Sequence, residues 1–177
     1  PEMRRIGAPW QRSKAGAQMT ARMIAGLTAA LVAATATTPL AQESTNRVAA
    51  NTDWSVFVDE NPKECWGVSA PKETVNSKDG QPVSVRRGDI LLFITYRPGT
   101  AEGEVSFTGG YPFADGSTVE MDVGGTKFDL FSDGEWAWSA SKEDDLKIIT
   151  ALKAGSSAIL SARSGRGTQT KDTFSLL

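Results

Sequence analysis

The stretch that decides the fold is Asp53–Thr74, with the sequence DWSVFVDENPKECWGVSAPKET. From Trp54 to Val58, apolar side chains recur at every second position, which is the period of a β-strand. The Asn61-Pro62 pair interrupts this pattern, and Cys65–Ser69 resumes an extended one. The stretch is therefore predicted to form two strands joined by a tight turn.

Downstream, the chain repeats short extended runs separated by turns. The run Ile90–Tyr96 is almost continuously apolar, which predicts a central strand covered on both faces. Thr118–Val123 and Thr126–Phe131 alternate, and the Gly124-Gly125 pair between them permits the positive φ angles of a tight hairpin turn. A second hairpin is predicted from Ser157–Arg163 and Thr168–Leu176.

One helix is predicted between Ser141 and Gly155. Ser141 can cap its start, acidic residues in the first turn suit the helix dipole, and Gly155 can end it. The apolar stripe of this helix consists of Leu146, Ile148, Ile149 and Leu152. Short strands, frequent turns and one short helix predict a mainly β fold, either an antiparallel β-sandwich or a partly open barrel.

The N-terminal region has the pattern of a secretory signal peptide. Arg22 supplies a positive charge, Met23–Ala36 an apolar segment, and Ala41 a small residue at the predicted cleavage site. The apolar segment is shorter than the roughly 20 residues that a membrane-spanning helix needs. We therefore predict a periplasmic or secreted protein with no transmembrane segment in the mature chain.

Three segments follow from this interpretation. Residues 1–41 comprise an upstream extension and the signal peptide, with Met19 as the start and cleavage after Ala41; residues 42–52 form a flexible linker; residues 53–177 form one β domain. The first 18 residues are either an over-extended reading frame or a long basic region of the signal peptide. Because the sequence stops inside an apolar strand at Leu177, the domain is predicted to be truncated at its C-terminus.

Composition and charge exclude several classes of function. Hydrophobic residues make up 40% of the chain and charged residues 23%, as in globular proteins. Residues 1–41 carry a net charge of +4, which leaves 14 Lys/Arg and 20 Asp/Glu, or −6, in the rest. This acidic body argues against nucleic-acid binding. The absence of histidine and the single cysteine exclude histidine-dependent triads, histidine-ligated metals and cysteine zinc clusters, so neither metal nor cofactor is predicted.

Cys65 is the only cysteine in the chain. In an exported protein, an odd cysteine suggests a disulfide whose partner is absent from this chain, or an intermolecular bond. The alternative is a buried, unpaired thiol that packs as a small apolar side chain. The residues leave both interpretations open.

Trp136 and Trp138 are the candidate ligand-binding residues. They alternate in a short predicted strand, so they share one face and can form a stacking platform for a sugar or a peptide. The alternative is core or cross-strand packing, because large aromatic side chains dominate protein cores. Trp54 and Trp66 are predicted to lie in the core.

Charged residues near the turns are weaker candidates. Arg86 and Arg87 beside Asp89 could meet an anionic lipid or glycan, as could Arg163 and Arg166, but solvated surface ion pairs are the ordinary interpretation. A glycosidase pair or a calcium site would have to be drawn from the turn acids Asp59, Glu60, Glu64, Asp133 and Glu135. No assembled nucleophile, base or metal set is visible, so the protein is predicted not to be an enzyme.

Six motifs follow one another along the chain: Asp53–Val56 leading to Cys65-Trp66, Arg87–Ile90, Gly109–Phe113, Ile148–Gly155, Ser164–Gly167 and Asp172–Leu176. In their order and spacing, they resemble the invasion-associated locus B family of exported proteins from Gram-negative bacteria. The resemblance implies a β-sandwich in the periplasm or associated with the envelope. Its members usually continue past the position of Leu177, often with a cysteine that would supply a partner for Cys65.

The resemblance and the pattern together give two hypotheses of function. The first is a non-enzymatic envelope protein that acts by protein–protein contact with an envelope or host protein, with a role in host association or invasion and with peripheral membrane association as an option. The second is a small carbohydrate-binding module that uses Trp136 and Trp138. Exposed loops and edge strands would carry the contacts of the first hypothesis.

Overall fold

The computed structural model describes residues 46–99 and 101–177, apart from the side chains of residues 101 and 102. These ranges contain twelve strands and one helix. The strands are β1 (Arg47–Asn51), β2 (Trp54–Glu60), β3 (Lys63–Ser69), β4 (Glu73–Lys78), β5 (Gln81–Pro82), β6 (Leu91–Arg97), β7 (Ala101–Thr108), β8 (Thr118–Val123), β9 (Thr126–Asp133), β10 (Trp136–Trp138), β11 (Ser157–Arg163) and β12 (Gln169–Ser175). The helix is α1 (Lys142–Ala154).

The strands form one continuous antiparallel sheet in the order β1-β2-β3-β6-β7-β10-β9-β8-β11-β12-β4-β5. The sheet curls, because the rings of Phe107 in β7 and Phe174 in β12 meet edge to face at 6.1 Å although four strands lie between them. Trp54 Nε1 in β2 also donates to the carbonyl of Ser175 in β12 at 3.0 Å. The prediction of a mainly β, antiparallel fold with one short helix is confirmed for the described residues, in a sandwich-like sheet that does not close into a barrel.

Alternating side chains on the inner face of the curled sheet form the hydrophobic core. Its fully buried members include Leu92, Val105, Phe107, Val119, Met121, Leu130, Leu160 and Phe174. The predicted hairpin joins β8 to β9, and Gly124 and Gly125 in its turn have φ angles of 59° and 90°. Burying these apolar side chains is the main favourable term in folding.

The helix begins and ends where the sequence predicts. Ser141 Oγ accepts a hydrogen bond from the Asp144 amide at 3.2 Å, and Gly155 follows the last residue. The predicted apolar stripe is wrong at Leu146, which is 50% exposed, whereas Asp145 is buried in its place. Asp145 Oδ1 accepts from the Val105 amide at 2.8 Å, because β10 ends opposite Ser106 and leaves the next residue of β7 without a partner on that strand. The helix is also too short and too polar to cross a membrane, and the described ranges contain no other helix.

The apolar run that was predicted to be covered on both faces forms β6, between β3 and β7. Leu92 on its inner face is fully buried in the core. Phe93 and Thr95 on its outer face line an open groove instead of packing beneath a second layer. The prediction of a central strand is therefore confirmed, and that of cover on both faces is wrong.

Part of the predicted flexible linker is a strand. β1 pairs antiparallel with β2, with Ala50 opposite Ser55 and Asn51 opposite Trp54. The linker prediction is therefore wrong for Arg47–Asn51. The sequence does not predict this strand because its side chains are all exposed and do not alternate clearly, and only its backbone pairs with the edge of β2. The predicted signal peptide and the predicted start at Met19 lie outside the described residues.

Candidate aromatic groove

Four aromatic side chains line a groove on the outer face of the sheet. They come from three strands: Trp66 from β3, Phe93 from β6, and Trp136 and Trp138 from β10. The register of the strands explains why these side chains share a face. Trp66 lies opposite Thr95, which is two residues from Phe93 in β6 and therefore on the same face. Both Phe93 and Trp138 lie opposite Ser106 in β7. We call this feature, with a volume of about 340 Å³, the aromatic groove.

Each ring of the aromatic groove lies in contact with another aromatic ring. Trp136 and Trp138 stack with centroids 6.4 Å apart and an angle of 20° between the ring planes. Phe93 lies 5.7 Å from Trp136 at an angle of 43°. Phe57 in β2 extends the row, since it stacks on Trp66 at 5.5 Å and 9°. The sheet thus presents a band of aromatic side chains in two contacting groups, Phe57 with Trp66 and Phe93 with Trp136 and Trp138.

This band is open to solvent at its β10 end. Trp136 is 39% exposed, and Phe131, which lies opposite Trp138 on β9, is 59% exposed. Contiguous exposed apolar surface on a soluble protein commonly marks an interaction site. An aromatic row in this position is therefore a candidate binding surface.

A charged network forms the polar rim of the aromatic groove. Arg97 Nε donates to Glu64 Oε2 at 2.9 Å, and Arg97 Nη1 donates to Glu104 Oε2 at 3.3 Å. The Arg97 and Glu104 side chains are about two-fifths exposed, so these bonds contribute little to stability. They do fix two carboxylates and one guanidinium beside the rings, where a ligand can reach hydrogen-bonding groups.

The structure brings Trp136 and Trp138 together as the sequence predicts, on one face and in contact. Neither belongs to the core, but Trp136 packs against Phe93 of β6, so the cross-strand packing of the alternative interpretation is present. Trp54 does pack against the core as predicted, but the prediction for Trp66 is wrong, because its ring lines the aromatic groove. The alternation of Glu64 and Trp66 was visible in the sequence, yet it does not tell which face of a strand is covered.

Cys65 lies on the opposite face of β3 from Trp66, with Val58 and Tyr96 as its cross-strand neighbours. Its side chain is half-buried and forms no disulfide. The interpretation as a packed thiol and the interpretation as half of a disulfide both stay predictions.

The turn acids do not assemble into a metal site. Within the described ranges, no group of three or more acidic or cysteine side chains is placed to hold a metal ion. Glu64 pairs with Arg97, and Asp59 lies beside its own turn with Oδ1 3.4 Å from the Asn61 amide. Asp133 and Glu135 are exposed on either side of the turn between β9 and β10.

Arg87 is a structural residue, contrary to the prediction of a solvated surface pair with Asp89. Its Nη1 and Nη2 donate to the two carboxylate oxygens of Asp172 at 2.7 and 2.6 Å, and the two side chains are 6% and 0% exposed. Nε donates to the Gly109 carbonyl at 2.9 Å, and the guanidinium lies 5.0 Å from the centre of the Tyr111 ring. Burial raises the pKa of Asp172 above its ordinary value, although Arg87 lowers it in part.

Around this pair, three glycine-containing loops meet. The Gly88 amide donates to the Gly110 carbonyl at 2.8 Å, and a side chain at Gly110 would lie 2.6 Å from the Gly88 carbonyl oxygen. The Gly165 amide donates to the Pro112 carbonyl at 3.0 Å. A glycine is therefore needed at position 110, where the two backbones approach closely. Comparisons of the chain with protein-family models, curated proteins and solved structures found no match.

Proposed function

We propose that this protein is a non-enzymatic carbohydrate-binding protein and that the aromatic groove is its binding site. The observation that carries the proposal is the pair of stacked, solvent-accessible rings of Trp136 and Trp138 beside the Glu64–Arg97–Glu104 network. A pyranose ring has an apolar face of C–H groups and an equatorial rim of hydroxyls. The aromatic rings of the groove suit the apolar face, and its charged rim suits the hydroxyls.

The floor of the groove suits the apolar face of a sugar. The electron-rich faces of tryptophan rings attract the weakly positive C–H groups of a sugar ring, and the contact removes apolar surface from water. Trp136 and Trp138 stack on each other with only 20° between their planes, so a sugar ring would pack against an outer face or the edges of the stacked pair. Because the strands hold both rings, little conformational entropy is lost on binding.

The rim suits the hydroxyls. Glu64 and Glu104 can accept hydrogen bonds from hydroxyl groups, and Arg97 can donate to ring or hydroxyl oxygens. Glu64 and Glu104 each contact Arg97, so the three groups lie beside one another before a ligand arrives. Few polar groups that converge beside an apolar floor are typical of small-ligand sites.

The same network favours binding over hydrolysis. Glycoside hydrolysis places two carboxyl groups on either side of the scissile bond, with one acting as a proton donor. Here Glu64 and Glu104 accept hydrogen bonds from one guanidinium on the same rim. We therefore propose that the protein binds and releases the sugar without cleaving it.

The signal-peptide pattern and the family resemblance support a location in the envelope of a Gram-negative cell. Envelope glycans are accordingly the first ligands to test. Soluble peptidoglycan oligosaccharides titrated into the full chain should change its tryptophan fluorescence and should release or absorb heat in calorimetry. Trp136→Ala and Trp138→Ala should each lower the affinity by about tenfold, which corresponds to a loss of about 1.4 kcal/mol.

Leu146→Ala is the matched control, because Leu146 is an exposed apolar side chain on the helix and is not part of the groove lining. This variant should bind as the wild type does. Calorimetry is needed beside fluorescence because the tryptophan substitutions remove part of the optical signal. If peptidoglycan oligosaccharides and neutral polysaccharides all give flat titrations by both methods, the proposal is wrong.

Protein–protein contact in the envelope remains the second candidate. Tryptophan and arginine are enriched in the energetic centres of protein interfaces, and the aromatic groove holds both. Crosslinking of the tagged, full-length protein in living cells, followed by mass spectrometry, tests this candidate. A reproducible partner that is lost in the Trp136→Ala variant would favour it, and recovery of the protein without a partner would count against it.

A further inference from the structure

A second cleft lies beside the turn between β9 and β10. It has a volume of about 470 Å³ and is lined by three loops, which contain Arg86, Tyr111 and Arg166. The lining also includes Glu135 and the hydroxyl residues Ser164 and Thr168. We call this feature the arginine cleft. It shares no lining residue with the aromatic groove.

The wall of the arginine cleft is held by hydrogen bonds within and between its loops. The loop that holds Arg166 turns back on itself, since the Gly167 amide donates to the Ser164 carbonyl at 2.8 Å and the Thr168 amide donates to Ser164 Oγ at 3.1 Å. Phe113 forms a bridge with Ser164 and ties this loop to its neighbour. A fixed wall holds ligand-binding groups in place at low entropic cost.

The charge balance of the arginine cleft is positive. Arg87 also lines it, but the Asp172 carboxylate neutralises that guanidinium. Arg86 and Arg166 are exposed, and neither forms a salt bridge with any described residue. Glu135 is the one acidic side chain in the lining. The lining of the cleft therefore contains two guanidinium groups without a salt bridge and one carboxylate. Residues 42–177 as a whole carry a net charge of −6.

We propose that the arginine cleft binds a phosphate group through Arg86 and Arg166. A guanidinium presents its N–H donors as a planar fork that matches two oxygens of a phosphate. Ser164 Oγ accepts one bond from the Thr168 amide and keeps its own proton as a further donor. The phosphate can belong to a lipid headgroup or to a small soluble phosphate compound, since the chemistry of recognition is the same.

Two probes separate these sources. The first is inorganic phosphate, titrated into the full chain by calorimetry at low ionic strength. The second is a sedimentation assay with vesicles of phosphatidylglycerol and phosphatidylcholine, compared with vesicles of phosphatidylcholine alone. Binding of both probes supports a general phosphate site. Binding of the phosphatidylglycerol vesicles alone supports a headgroup as the source.

Three substitutions test the residues. Arg86→Ala and Arg166→Ala should each lower the affinity for the bound probe about tenfold, whereas Glu135→Gln should raise it by removing the opposing charge. Arg47→Ala is the matched control, because Arg47 is an exposed arginine on β1 and does not line the cleft. Binding of neither probe, or an equal loss in Arg47→Ala, would overturn the proposal. The glycan titration should be unchanged in Arg86→Ala and Arg166→Ala, so this test is independent of the aromatic groove.

Discussion

At the scale of single residues, the buried pair of Arg87 and Asp172 is the contact whose loss should cost most. The carboxylate is fully buried, and both of its oxygens accept from one guanidinium. Asp172→Ala would leave the Arg87 charge buried without its partner, and we expect the free energy of unfolding to fall by about 3–5 kcal/mol. Urea denaturation followed by circular dichroism measures this change.

A double variant separates the pair's own contribution from the cost of an orphaned charge. Arg87→Met combined with Asp172→Leu removes both charges and keeps apolar volume, so it should be less destabilised than Asp172→Ala. If the double variant loses as much free energy of unfolding as Arg87→Met and Asp172→Leu lose together as single variants, the loss comes from packing around Tyr111 and not from an unpaired charge. The sequence could not predict this pair, because the partners stand 85 positions apart and the nearer Asp89 was the obvious candidate.

The ion pair between Asp53 and Lys72 should make stability depend on pH in the acidic range. Lys72 Nζ lies 2.7 Å from Asp53 Oδ1, and this hydrogen bond lowers the pKa of Asp53 below its ordinary value of 3.8. A lowered pKa in the folded state means that the stabilisation is present above pH 3.8 and is lost as the pH falls through the folded-state pKa. Asp53→Asn should therefore lower the melting temperature at pH 7, and the difference from wild type should shrink below pH 3.8. A difference that stays constant down to pH 2 would contradict this assignment.

At the scale of elements, the helix depends on the sheet through Asp145. This side chain is 6% exposed and binds the Val105 amide, which is itself buried in β7. Asp145→Ala would leave that N–H without a partner, and we expect a loss of about 1–3 kcal/mol in the free energy of unfolding. Glu143→Ala is the control, because it removes an exposed first-turn acid and hence a similar interaction with the helix dipole. Equal losses in the two variants would show that the dipole, and not the bond to Val105, accounts for the effect.

The ends of this helix could be predicted from the sequence and its buried face could not. Ser141 and Gly155 act locally, through a side-chain cap and a stop, so their roles are visible in a short window. Which helix residues are buried depends on the neighbouring strand. Because β10 ends opposite Ser106, the Val105 amide needs another acceptor, and Asp145 provides it. The apolar stripe therefore predicted Leu146 inside, whereas the hydrogen-bonding requirement placed Asp145 there.

At the scale of the whole molecule, local alternation predicted most strands but not the way in which they assemble. The hairpins β2–β3 and β8–β9 follow from their turns. The contact of β7 with β12 through Phe107 and Phe174 joins segments far apart in the chain, and nothing local specifies it. The aromatic groove has the same origin. Trp66, Phe93 and Trp136 become neighbours only once β3, β6, β7 and β10 lie side by side.

One core that joins both layers of the curled sheet should make unfolding a single cooperative step. Phe174 is fully buried and contacts Phe107 across the core, so Phe174→Ala should lower the free energy of unfolding by about 3–5 kcal/mol. Because the same core supports the strands beneath the aromatic groove, tryptophan fluorescence and far-ultraviolet circular dichroism should report the same urea midpoint in wild type and in this variant. Leu146→Ala, at an exposed position, should leave that midpoint nearly unchanged. A fluorescence midpoint at lower urea than the circular dichroism midpoint would mean that the strands beneath the aromatic groove unfold before the rest of the sheet. The groove would then belong to a separate, less stable part of the domain.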